Sequence, residues 1–171
     1  MTEPKQVLLP DKYACIPRVL IFPVDEDGRV LLLKGAEDKK IWPGLWNGLG
    51  GHVEKGESAL QAARRELLEE SGLRAGRLDY MGALQVDTGT RVGITVYVFR
   101  ASQLSGDLMA SSEGSLAWWL QEEALDLPMV EDLYTLMPLM LAKPAESPPF
   151  WATYQYDPAN QLIVSIEPNF P

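Results

Sequence analysis

The stretch "GGHVEKGESALQAARRELLEESGL", residues 50–73, sets Glu66, Glu69 and Glu70 close together in a segment with helical spacing. At about 100° per residue the carboxylates share an arc of roughly 100°. Leu60 and Leu67 point the other way with Leu68 flanking them, so one face is acid and the other is core. Ala59, Ala62 and Ala63 share the acid face, where short side chains leave room for a bulky ligand. A solvated amphipathic helix is the plainer reading, with Arg64 and Arg65 offsetting charge through helical neighbours worth about 0.2–0.5 kcal/mol each. Two carboxylates about 4 Å apart at an effective dielectric near 20 repel by roughly 4 kcal/mol, more than such pairs return. A bound divalent cation removes the conflict. Oxygen donors with no Cys and only His52 nearby suit Mg²⁺ or Mn²⁺ rather than zinc. Mg²⁺ shares its shell with water and phosphate oxygens, which points to a substrate carrying a diphosphate.

The elements that must hold these acids follow from pattern. Ser58 to Ser71 reads as the helix, stopped by Gly72 in a left-handed cap. "RVLIFPV" (18–24) and "RVLLLK" (29–34) flank the turn "DEDG" and read as a strand pair. "RLDYMGALQVDT", "RVGITVYVFRA" and "SLAWWL" (115–120) add strands, and the consecutive Trp118 and Trp119 place one ring inward and one outward. "VEDLYTLMPLMLAK" (130–143) has helical spacing with Pro138 predicting a kink or break. "WATYQY" and "QLIVSI", joined by "DPAN", form a C-terminal hairpin. Strands interleaved with few helices predict an α/β fold with a mixed sheet covered on both faces.

At 171 residues, residues 1–171 are expected to form one domain. A formal net charge of −9 argues against partnership with long nucleic acid or an anionic membrane. Cys15 is the sole cysteine, which excludes an internal disulfide and reads as inert packing. With no apolar run approaching a membrane span, a cytoplasmic protein, monomer or homodimer, is the expectation.

Gly51, then Glu57, then Arg65-Glu66-Leu67-Leu68-Glu69-Glu70-Ser71-Gly72-Leu73 matches the fixed positions of the box, here residues 51–73, that defines the Nudix hydrolases. The resemblance implies an α/β/α sandwich and an enzyme that hydrolyses a nucleoside diphosphate linked to another group. It implies Glu66, Glu69 and Glu70 as metal ligands with the carbonyl of Gly50, and an Arg65–Glu57 pair that holds the helix in place. Gly48, Gly50 and Gly51 read equally as a tight turn and as phosphate contacts.

"LWNGLGGHVEKGE" is similar to the segment in purine nucleoside triphosphate pyrophosphohydrolases that clear oxidised purines, such as 8-oxo-dGTP, where an Asn contacts the base; by position this is Asn47. "SSEGSLAWWL" resembles their segment with a fourth acidic ligand, here Glu113. An acid that reads the purine edge falls on Asp132 or Glu131, but Met129 and Val130 stand where those relatives carry a stacking Trp. Asn47 reads equally as a turn cap, and Asp132 equally as a helix-start acid. Trp42 and Trp46 are candidates to stack on the base, against a role in core or lid. The Pro of the ADP-ribose branch, expected near Thr88 and Gly89, is missing. The expectation is a Mg²⁺-dependent hydrolase releasing a monophosphate and pyrophosphate from a purine nucleoside triphosphate. The alternatives are a dinucleoside polyphosphate or nucleotide sugar as substrate, and a nucleotide-sensing module without turnover.

Overall fold

A computed structural model describes residues 11–109, 111 and 113–167. In chain order the elements are β1 (Ala14–Pro23), β2 (Val30–Gly35), β3 (Trp46–Asn47), α1 (Ala59–Ser71), β4 (Arg74–Val86) and β5 (Val92–Ser105). They continue with β6 (Gly114–Trp119), α2 (Gln121–Ala124), α3 (Leu133–Ala142), β7 (Phe150–Tyr156) and β8 (Leu162–Glu167). A five-stranded mixed sheet runs β1-β5-β4-β7-β8, and a three-stranded antiparallel sheet runs β3-β2-β6. The terminal hairpin is present as the antiparallel pair β7 and β8.

β1 and β2 were expected to pair with each other, and they part instead into different sheets. The turn between them closes, with the Asp25 amide donating to the Arg29 carbonyl at 3.0 Å, but only the bridge Val24–Val30 continues it. β1 pairs in parallel with β5 along its whole length, and β2 turns to β3 and β6. The alternation of side chains gives the reason. Val30 and Leu32 pack with α3, whereas Leu31 packs with α1, so β2 is buried on both faces and lies between two cores.

Those cores cover the sheets from opposite sides. α3 contributes Leu133, Leu136, Met137 and Met140 to one, and α1 contributes Ala62, Ala63 and Leu67 to the other. Trp119 packs against the first and Trp118 against the second, so both rings are inward where one was expected to face out. α3 runs through Pro138 without a break. Cys15 is exposed rather than packed, and its sulfur accepts from Gln85 Nε2 at 2.7 Å. No helix among the described residues is long and apolar enough to cross a membrane.

α1 starts on a reciprocal capping box, in which Ser58 Oγ accepts from the Gln61 amide and Gln61 Oε1 accepts from the Ser58 amide. It ends at Gly72, whose φ of 77° is the left-handed cap that the sequence predicts. Its inward face differs from the expected one. Ala62, Ala63, Leu67, Glu70 and Ser71 are buried while Leu60 is 39% exposed. The alanines are small so that the helix can lie close to the sheet; Leu67 is inward as expected, and of the three acids Glu70 turns in beside it, Glu66 is half-buried and Glu69 stays exposed.

Candidate active site

The loop before α1 brings backbone and carboxylates into contact. Leu49 exchanges hydrogen bonds with Ile21 of β1 at 2.7 and 3.0 Å, and the Val19 amide donates to the Gly51 carbonyl at 2.9 Å. A Cβ at Gly50 would lie 2.1 Å from the Val19 carbonyl oxygen, and one at Gly51 would lie 2.3 Å from Glu66 Oε1. Glycine is therefore required at Gly50 by the strand backbone, whereas a side chain at Gly51 would push the Glu66 carboxylate aside. The Gly50 amide donates to Glu70 Oε2 at 2.7 Å, and its carbonyl accepts no hydrogen bond among the described residues.

The repulsion among the helix acids is offset by two devices. Arg65 is the first: Nε and Nη2 fork onto Glu57 at 3.0 Å each, Nη2 reaches the His52 carbonyl at 2.9 Å, and Nη1 donates to Glu66 at 2.7 Å and Glu69 at 3.2 Å. The hydrogen bonds from Arg65 hold the Glu57 carboxyl below its usual range, and those from Glu57 and then Glu66 raise the guanidinium further. Burial is the second device. Glu70 is 8% exposed, and desolvation pushes its pKa up to about 7, with Glu66 and Glu113 adding to the rise and the Gly50 amide and Lys39 opposing it. A proton then replaces a counter-ion.

As arranged, no three acidic, His or Cys side chains among the described residues converge closely enough to enclose a cation. The donor chemistry nevertheless fits a hard divalent ion. Glu66, Glu69, Glu70 and the unengaged Gly50 carbonyl offer oxygen alone, and a buried carboxylate with a raised pKa is stabilised by cationic charge. Glu66 and Glu69 each give one oxygen to Arg65 and keep the other for such an ion. Glu113 forms an ion pair with Lys39 across a cleft of about 330 Å³ that Glu70 also lines.

That cleft opens into a second of about 410 Å³, and the two share Arg18, Trp42, Leu45, Asn47, Gly48 and Gly50. The second is walled by the aliphatic Leu84, Val86, Ile94 and Val96, with Glu131, Asp132, Tyr154 and Tyr156 adding polar groups to the shared Arg18 and Asn47. Asn47 Oδ1 accepts from the Gly48 amide at 2.8 Å, as a turn cap would, which leaves its amide NH₂ without a partner among the described residues. Asp132 stands at the N-cap of α3 without a capping hydrogen bond from its side chain. Burial raises its pKa, and Glu131 raises it further.

Trp46 does not reach either cleft. It is 9% exposed and meets Trp119 edge-on at a centroid distance of 5.3 Å, so the expected base contact is corrected to a core role. Its neighbour four residues earlier, Trp42, is 45% exposed and lines both clefts. The sequence reading missed Arg18, Lys39, Lys40 and Tyr154 as cleft residues. The adjacent lysines in a loop rich in Gly carried a signal for anions, whereas Arg18 and Tyr154 sit in strands whose register no local pattern reveals.

Residues 16–140 match the NUDIX domain. A Danio rerio protein described as an oxidized purine nucleoside triphosphate hydrolase is 39% identical over 121 residues, which cover 70% of this chain and 76% of that protein. A CTP pyrophosphohydrolase of Escherichia coli K12 is 34% identical over 128 residues, covering 72% and 93% respectively. Among solved structures, a MutT protein from Bacillus halodurans aligns with a TM-score of 0.72 at 27% identity, over 90% of this chain and 99% of that one. The match takes in the glycine loop, α1 and most of both clefts, and the chain belongs to the NUDIX domain family as a Nudix hydrolase.

Proposed function

We propose that the protein hydrolyses a phosphoanhydride bond of a purine nucleoside triphosphate, giving the monophosphate and pyrophosphate, with Mg²⁺ as cofactor and Mn²⁺ as a substitute. The observation that carries this reading is the continuity of the two clefts. One is lined by Glu70, Glu113, Lys39 and Lys40, the other by Asp132 and aliphatic walls, and Arg18 and Asn47 stand where they join. An apolar slot with a polar end suits a base, and a basic and acidic slot beside it suits a phosphate chain with its cation.

Glu66, Glu69, Glu70, Glu113 and the Gly50 carbonyl are the residues that would hold the ion. When bound, a divalent ion neutralises phosphoryl charge and lowers the pKa of water. Arg65, anchored by Glu57 and the His52 carbonyl, fixes the side of α1 from which the carboxylates project. A carboxylate of the cluster takes the proton as the water oxygen bonds to phosphorus and the bridging P–O bond breaks. Lys39, Lys40 and Arg18 bind the phosphate chain, with Gly51 and Gly48 allowing its close approach. Asn47, through its amide NH₂, and Asp132 and Glu131, through carboxylates, read the base edge. A guanine-type edge, with N–H donors beside a carbonyl acceptor, matches that set.

The test is a panel of canonical and oxidised purine triphosphates, pyrimidine triphosphates, sugar nucleotides and dinucleoside polyphosphates, with products separated chromatographically. A purine triphosphate turned over fastest, with pyrophosphate as co-product, is the expected result. Preferential turnover of CTP, the substrate named for the E. coli relative, would overturn the base assignment.

A further inference from the structure

We propose that Tyr154 is a specificity-determining positioning residue: its hydroxyl holds the Asp132 carboxylate as a hydrogen-bond acceptor, so that the cleft selects bases whose edge presents N–H donors. This rests on the reading of the larger cleft as the base site.

Tyr154 lies in β7 and lines that cleft, is 3% exposed, and its phenol oxygen is fully buried without completing a hydrogen bond. The aliphatic walls offer it nothing. The group that faces it is the Asp132 carboxylate, near enough for the pair to lower the acid's pKa against burial and, with burial, to raise the phenol's, although their contact falls short of full hydrogen-bond geometry. A phenylalanine would fill the same space without an orphaned polar atom, so the hydroxyl has a use in a state other than this one. Asp132 makes no side-chain capping bond to α3, and its carboxylate is steadied instead by its own amide and that of Leu133 at the mouth of the helix.

A base donating N–H groups to one carboxylate oxygen presents the other to Tyr154, and the O–H then closes onto it. An acid that accepts from the phenol on one side and the ligand on the other has no proton of its own to give. Bases with an acceptor at that position meet two acceptors facing each other. The Asn47 amide NH₂ supplies a donor for a carbonyl of the base.

The experiment compares kcat and KM for dGTP and dITP, which differ by one exocyclic amine, in wild type, Tyr154→Phe and Asp132→Asn. Wild type is expected to favour dGTP by about tenfold or more, the amount one hydrogen bond to a charged group supplies. Tyr154→Phe should reduce that preference to about threefold or less through KM, with kcat for dGTP within about twofold and Tm at or above wild type, since a buried hydroxyl without a partner has been removed. An unchanged preference in Tyr154→Phe while Asp132→Asn loses it overturns the role of the hydroxyl and leaves the base site standing. No preference in wild type, or none lost in either variant, overturns both. A Tyr154→Phe protein that fails to fold also overturns the proposal, because the hydroxyl would then serve the fold.

Discussion

Replacing Glu70 by Gln should stabilise the metal-free protein at alkaline pH while abolishing its activity. Glu70 is 8% exposed, and burial raises its pKa from 4.5 to about 7. Below pH 4.5 it is protonated in both the folded and the unfolded chain and costs nothing. As pH rises toward 7 the unfolded chain releases this proton and the folded chain keeps it, so stability falls and the full cost is present above pH 7. At about 1.4 kcal/mol per pH unit, that cost is about 3 kcal/mol. Glutamine retains an oxygen for the Gly50 amide but adds an NH₂ group, which returns about 1 kcal/mol. The net gain of about 2 kcal/mol corresponds to a Tm rise of about 4–8 °C for a chain of this size. Thermal unfolding with a chelator at pH 8 and pH 5 tests it: the gap should be full at pH 8 and close to zero at pH 5. With Mg²⁺ and nucleotide present, wild type should regain the lead, because the ion stabilises only the folded chain that binds it. A metal-free Glu70→Gln no more stable than wild type at pH 8, or a gap that ignores pH, would refute the argument.

The paired glycines should separate fold from function. Gly50→Ala drives a Cβ against the Val19 backbone and should cost about 2 kcal/mol or more of stability, whereas Gly51→Ala meets only the movable end of Glu66. Gly51→Ala should therefore keep its Tm and lose about tenfold to a hundredfold in kcat. Arg65→Lys, which cannot fork onto Glu57, should lower kcat by about tenfold with little change in KM, and equal kcat would remove the positioning role. Trp46→Ala should destabilise by about 3–5 kcal/mol as a core cavity, while Trp42→Ala should leave Tm nearly unchanged and raise KM, as substrate titration and melting will show.

The parts of this molecule legible in sequence are those written locally. Ser58, Gln61 and Gly72 delimit α1 because caps act within one helical turn. The fork of Arg65 on Glu57, expected from the resemblance, spans a single loop. Long-range pairing was not legible. β1 finds its partner in β5, with Ala14 opposite Val92, 78 residues further along, and nothing in "RVLIFPV" announces that β2 will leave for another sheet. The inward face of α1 is legible only in part: Leu67 packs inward as its spacing predicts, but Leu60 does not, and Ala62 and Ala63 read as room for a ligand when the sheet needed that room. Trp42 and Trp46 are the same residue type in one loop. Their difference lies in β3, a strand of two residues that turns Trp46 into the core.

Electron paramagnetic resonance of free Mn²⁺, titrated into the protein with a non-hydrolysable purine triphosphate analogue, bears most directly on the helix acids. Wild type should deplete the free-ion signal stoichiometrically, and Glu66→Gln and Glu70→Gln should each leave most of it in solution. Uptake by those folded variants equal to wild type, or none by wild type, would contradict a cation held at α1.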